Sequence, residues 1–207
     1  MLDQKGFDLW ADGYDKTVGI SDEENTYPFA GYKEVLGTIY RIIMQKQNAS
    51  VLDLGFGTGT LTAKLYEHGC TVCGQDFSSR MIELASAKMP QAQLVQGDLT
   101  QGLAEPLTHR SYDFIVATYS LHHLTDEQKG RFLHDLRSRL NENGKILIGD
   151  VAFTTRRELE QCRGQAGDEW DEEEIYFVAE ELKRSFPYLE FTPVSFCAGI
   201  LTLTKQI

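Results

Sequence analysis

No stretch of this sequence stays apolar for anything near the roughly 20 residues that a membrane-spanning helix needs, so a membrane partner is not expected. Positive charge is scarce. There are 20 Lys and Arg against 31 Asp and Glu, a formal net charge of −11. Phosphate backbones are held by clustered positive charge, and Arg156-Arg157 is the one notable basic pair, so nucleic acid is not an expected partner either. Cysteine is sparse at four residues. Cys70 and Cys73 form a lone Cys-x-x-Cys, with no second pair and no histidine at finger-like spacing. Buried thiols serving as small hydrophobes are expected there, and no metal site. The first residues, Met1 to Gly6, lack the basic and apolar regions of a signal peptide, so the expected location is the cytoplasm. There is no internal repeat, low-complexity tract or linker.

What is present is an ordinary globular composition, 42% hydrophobic and 25% charged over 207 residues. That length suits one domain, 1–207, with a sizeable core. Apolar residues at Val35, Leu36, Ile39, Ile42 and Ile43 predict a helix over about 32–47. Strands are then expected at 51–54, 71–75, 93–96, 112–118 and 145–151. Helices are expected at about 59–68, 79–88 and 126–140, then at 156–163 and 172–185. Thr125 and Gln128 have capping-box spacing at the start of the 126–140 helix. Two last strands, near 189–197 and 200–205 with a short link at Ala198-Gly199, must run antiparallel. This alternation predicts an α/β fold: a doubly wound, mostly parallel seven-stranded sheet, its last strand antiparallel and helices on both faces.

The chain is organised around Val51-Leu52-Asp53-Leu54-Gly55-Phe56-Gly57-Thr58-Gly59-Thr60. An apolar strand runs into a loop with glycine at alternate positions and then into a helix, the layout of a nucleotide-binding turn. Glycines there permit tight backbone angles and let a ligand lie on the main chain. A dinucleotide turn has Gly-x-Gly-x-x-Gly, but Thr60 stands at the third glycine. The pattern acidic-x-Gly-x-Gly-x-Gly is met by Asp53, Gly55, Gly57 and Gly59. Asp76 ends the next strand, where a carboxylate can accept both ribose hydroxyls, a feature that NAD enzymes share. Asp98 follows the third strand. All three acids fall on the carboxyl edge of the sheet, where open α/β sheets bind ligands.

With these residues the sequence resembles the class I S-adenosylmethionine-dependent methyltransferases, over about residues 30 to 150. The Trp10-Ala11-x-x-Tyr14-Asp15 segment and the stretch from Cys162 to Glu174 are similar to the YrrT-type bacterial group. The resemblance implies that S-adenosyl-L-methionine is the cofactor and that the glycine loop wraps its methionine half. A sulfonium and an ammonium suit a negative turn. Asp98 would meet the adenine amino group and Leu99 the ring through its backbone amide, with Gly97 beside them. Phe77, Met81 and the main chain near Ala117 complete the implied cofactor contacts, and Tyr14 closes over them. Phe56 departs from the family, which more often has a small or polar residue or Cys there; its side chain can point away from the cofactor.

His122 and His123, after the fourth strand, are the candidate general bases, because an imidazole titrates near neutrality, and Tyr14 is a further catalytic candidate. Positioning alone can also suffice for so activated a methyl donor. An Asn/Asp-Pro-Pro-Tyr/Phe signature is absent at this station, which argues against exocyclic amines of nucleobases as acceptors. Segments outside the alternating core, 1–30 as a cap and 154–176 as a cover, are expected to shape the acceptor pocket through Trp10, Tyr119, Trp170 and Tyr176. The implied reaction is methyl transfer to a small-molecule substrate, by a monomer or homodimer. A non-catalytic binding or interaction module on the same fold, or an NAD-dependent oxidoreductase, is the alternative.

Overall fold

The computed structural model describes residues 25–205. Helix α1 (Tyr32–Ile43) turns Val35, Leu36, Ile39 and Ile43 inward. It packs on the sheet across Gly149, where a Cβ would stand 2.3 Å from Val35 Cγ1, so only glycine admits the helix this closely. The alternating core follows: β1 (Ser50–Leu54), α2 (Thr60–Glu67), β2 (Thr71–Asp76), α3 (Ser79–Lys88), β3 (Gln93–Gln96), α4 (Glu105–Thr108), β4 (Tyr112–Thr118), α5 (Asp126–Ser138) and β5 (Leu140–Phe153). The chain closes with α6 (Arg156–Ala166), β6 (Phe177–Val178), α7 (Ala179–Leu182), β7 (Glu190–Pro193) and β8 (Ala198–Thr204).

The strands lie in the order β3-β2-β1-β4-β5-β8-β7, with β6 paired to β5 off this path. Pairs among β1 to β5 are parallel, while β8 runs antiparallel to β5 and β7. Successive residues of the central strands feed opposite cores. Val51, Phe114 and Val116 join the cluster under α1, and Leu52, Ile115 and Ala117 join the one under α5. A strand buried on both faces reads as a continuous apolar run, as β1 and β4 do. The cysteines Cys70, Cys73, Cys162 and Cys197 are free and buried. Among the described residues no helix is long and apolar enough to cross a membrane.

The helix expected over 172–185 does not form. Residues Gly167–Glu169 make a 3-10 turn, the chain then runs without regular structure to β6, and only Ala179–Leu182 is helical. Tertiary bonds capture this segment. Ile175 N–H donates to the His122 carbonyl at 2.8 Å, and Phe177-Val178 pairs in parallel with Ala152-Phe153. The consecutive acids from Asp171 to Glu174 repel one another on a helix, whereas Tyr176, Phe177 and Val178 favour strand. The last two strands are also shifted. The turn between them is at 194–197, where Ser195 Oγ donates to the Ala30 carbonyl at 2.7 Å, and Ala198-Gly199 belongs to β8. Trp10 and Tyr14 lie outside the described residues.

Candidate active site

After β1 the chain builds outward to β2 and β3 on one side, and then returns to lay β4 on the other. Strand order therefore reverses between β1 and β4, and a crevice opens at their carboxyl ends. It is a cleft of about 740 Å³. Its walls come from the glycine loop (Gly55, Gly57), the ends of β2 and β3 (Asp76, Phe77, Asp98, Leu99), Met81 of α3, and the segment 118–124 after β4. Asp171, Glu173 and Glu174 face it from the segment before β6.

The loop after β1 is built from left-handed backbone: φ is 71° at Gly55, 55° at Gly57 and 80° at Gly59. A Cβ on Gly57 would meet nothing within 4 Å, so its bare main chain faces the cleft. Asp76 ties this loop down. Its Oδ2 accepts the Gly57 N–H at 2.8 Å and its Oδ1 accepts the Ser78 N–H at 2.9 Å. Ser78 in turn caps α3 by accepting the Met81 N–H. Asp98 Oδ1 accepts both the N–H and the hydroxyl of Thr100, which starts the 3-10 turn Leu99–Gln101 at the cleft wall.

Asp53 lies beneath the loop and away from the large cleft. It is 1% exposed and accepts the Thr62 hydroxyl through Oδ2. Its Oδ1 finds no hydrogen-bond partner among the described residues. Burial outweighs the Thr62 hydrogen bond and, with a smaller push from the charge of Asp76, raises its carboxyl to about 7. A small cavity of about 20 Å³, lined by Asp53, Tyr32, Gly55 and Gly57 among others, adjoins it. Phe56 points into the core, where its ring blocks the space a Cβ on Gly74 would need. Gly59 caps α2, Gly97 gives way to the Gln75 amide, and Ala117 is buried within β4. None of Phe56, Gly59, Gly97 and Ala117 lines the large cleft.

Across the cleft stands a chain of polar groups. His122 donates from Nδ1 to Asp150 Oδ1 at 2.7 Å, and its Nε2 is 3.5 Å from Glu174 Oε1. Glu174 Oε2 accepts the Tyr176 hydroxyl at 2.6 Å, and Tyr176 and Tyr27 share a hydrogen bond between their hydroxyls. Burial would lower the His122 pKa, but the charge and hydrogen bond of Asp150, with Glu174, carry it above the ordinary value. His123, whose ring centroid is 4.3 Å from that of His122, is pushed down to about 4 by burial and by its neighbour's charge. Tyr119 adopts φ 52°, a conformation that bulky side chains take only when their surroundings impose it. Its ring is 5.4 Å from Phe29 and 5.1 Å from Tyr32.

Of the residues expected to shape the acceptor pocket, Tyr119 lines the cleft and Trp170 and Tyr176 do not. Those two stand behind Glu174, packed with Tyr27 at centroid distances of 5.2 and 6.0 Å. Sequence reading missed Asp150, although it lies toward the carboxyl end of β5, the location that singled out Asp76 and Asp98. It also missed Tyr27, Phe29 and Lys129, which carry no spacing signal. Lys129 is 1% exposed, donates to the Ile175 carbonyl and lies 4.5 Å from the Phe177 ring centroid.

The family model described as a methyltransferase domain matches residues 51–144. An uncharacterized methyltransferase of Anoxybacillus flavithermus is 34% identical, over 97% of this chain and 96% of its own length. The uncharacterized methyltransferase YrrT of Bacillus subtilis is 36% identical, over 93% of this chain and 86% of its own. Among solved structures, a DhpI–SAH complex superposes with a TM-score of 0.69 at 19% identity, covering 96% of this chain and 93% of that one. Magnesium protoporphyrin IX methyltransferase from Synechocystis PCC 6803 with bound SAH gives 0.64 at 19% identity, covering 84% and 83%.

Proposed function

Since the chain belongs to this family of methyltransferases, we propose that it transfers a methyl group from S-adenosylmethionine to a small-molecule acceptor. When bound, the cofactor supplies a methyl group activated on a sulfonium. The residues present fit it. Bare backbone at Gly57 and the Asp76 carboxylate meet on one wall of the cleft. Each Asp76 oxygen accepts one backbone N–H, and a carboxylate oxygen has two acceptor positions, the chemistry that a ribose hydroxyl needs. Asp98, Leu99, Phe77 and Met81 make the adjoining wall for the adenine. Asp53, with one carboxyl oxygen unpartnered among the described residues and beside a small cavity, suits a positively charged group near the loop. Gly55, Gly59, Gly97 and Ala117 act by shaping the main chain, and Tyr14 is assigned to the donor side on resemblance.

The acceptor would lie between this wall and His122, His123 and Tyr119. Among the described residues no Lys or Arg lines the cleft, while Asp76, Asp98, Asp171, Glu173 and Glu174 do. Such a surface repels carboxylates and phosphates and favours a neutral or cationic acceptor. His122 and His123 stand where the acceptor's proton would leave, with Asp150 orienting the His122 ring. Trp170, Tyr176 and Trp10 would back this pocket.

The observation that carries the reading is the Asp76 carboxylate, which lines the cleft while bonded to the glycine loop. Calorimetric titration with S-adenosylmethionine and with NAD tests it, followed by transfer of a labelled methyl group to compounds of a metabolite extract. Binding of S-adenosylmethionine and one labelled small product are expected. Tight NAD binding with no response to S-adenosylmethionine overturns the reading. Binding without transfer to any compound makes the protein a non-catalytic module.

A further inference from the structure

The polar groups opposite the glycine loop have the make-up of a metal centre. Ligand atoms of His122, His123 and Glu174 all lie within 4.8 Å of one another, and all three residues line the cleft. Two imidazoles and one carboxylate are a donor set that binds zinc-type ions at catalytic sites, where a fourth position stays open. Bonds near 2.1 Å in a tetrahedron set ligand atoms roughly 3.4 Å apart. His122 Nε2 and Glu174 Oε1 are already 3.5 Å apart. His123 offers the third ligand atom, within 4.8 Å of the other two.

Two further features single out this trio. First, His122 is backed as a metal ligand is. Its Nδ1–H donates to the fully buried Asp150, which fixes the tautomer and aims the Nε2 lone pair at Glu174 and the cleft. Asp150 is itself held by the Val151 N–H at 2.8 Å. Second, the surroundings favour a cation. Asp171 and Glu173 face the same space, and among the described residues no Lys or Arg lines it. Glu174 is steered by the Tyr176 hydroxyl on its other oxygen, so it is presented rather than floating.

We propose that His122, His123 and Glu174 form a binding site for one divalent transition-metal ion of zinc type. The ion's remaining position faces the cleft, open to water or to the acceptor's own donor atom. The ion takes the two imidazoles that would otherwise receive the acceptor's proton and leaves the Asp76 wall untouched, and ion binding does not require the methyl-transfer reading to hold.

The test uses the full chain, stripped with a chelator and titrated calorimetrically with zinc chloride alone. One ion per chain is expected. Glu174→Gln, which keeps the side-chain shape, and His123→Ala each weaken binding at least 10-fold. Asp150→Asn, which touches no ion, weakens it about 10- to 100-fold, as loss of an outer-shell partner does. Cys70→Ser leaves it unchanged. Cobalt(II) in place of zinc gives the visible absorption of a tetrahedral site, and this spectrum changes in His123→Ala. Thermal melting shows that each variant is folded before it is scored. Absence of binding overturns the proposal, as does zinc binding that survives both Glu174→Gln and His123→Ala or is lost in Cys70→Ser. S-adenosylmethionine titrated in parallel reports separately on the cofactor wall.

Discussion

Gly55 and Ser120 lock the two loops of the switch point together. A Cβ on Gly55 would lie 2.4 Å from the Cβ of Ser120, and the Ser120 hydroxyl donates to the Leu54 carbonyl at 2.7 Å. Two chain segments brought together from 66 residues apart thus meet with no room for a methyl group. Gly55→Ala should destabilise the protein by about 1–3 kcal/mol through overpacking alone, with the positive φ adding to that cost. Urea unfolding measures the loss. Cofactor affinity should fall at the same time, because the loop must shift away from Ser120; a variant of native stability and affinity would mean that the loops are not in this contact.

Asp76→Ala removes the acceptor of the Gly57 and Ser78 amides. Affinity for S-adenosylmethionine should drop by about 1.5–3 kcal/mol, the range for a hydrogen bond to a charged group. Calorimetry on the folded variant reads this directly. Unchanged affinity would place the cofactor elsewhere.

Asp53 should make stability fall as pH rises toward neutrality. Its unfolded carboxyl titrates near ~3.9, while the folded one is raised to about 7 by burial. Between those values the folded state holds the extra proton. Its contribution to stability therefore declines across that window and is lowest above about pH 7. Asp53→Asn, which cannot ionise, should raise the melting midpoint more at pH 8 than at pH 5. Equal gains at both pH values would show that Asp53 titrates normally.

Lys129 holds the segment before β6 against the body. Its ammonium donates to the Ile175 carbonyl and to Asp126 at 3.3 Å, and it reaches them across the Phe177 ring. Lys129→Met keeps the stem and leaves that carbonyl without its donor, at a cost of about 1–3 kcal/mol. Amide hydrogen exchange should quicken at Ile175, whose N–H bonds to His122, and methyl transfer should slow while S-adenosylmethionine affinity stays within about twofold. Exchange as slow as in the parent protein would show that Ile175 is held without Lys129.

The sheet was legible because its strands obey local rules. Val51-Leu52 and Phe114–Ala117 are apolar runs between clear stops, and the glycine loop carries its backbone requirement in its composition. Asp76 and Asp98 were legible because one ends a strand and the other follows one, and the carboxyl edge of a parallel sheet collects whatever stands there. The segment 170–178 was not legible. Its acids read as a helix start, and nothing local announces that Ile175 will bond to His122 or that Phe177 will pair with Ala152.

The sequence by itself therefore determined the α/β alternation, the glycine loop and the acids at the sheet edge, because these depend on neighbours a few residues apart. Tertiary structure alone decided what faces that loop. It put Phe56 into the core, set Asp53 below the cleft with an oxygen unpartnered among the described residues, and joined Asp150, His122, Glu174, Tyr176 and Tyr27 from four separate segments. Contacts across such separations are chosen by packing and by the need to pair buried polar groups, which no local pattern encodes.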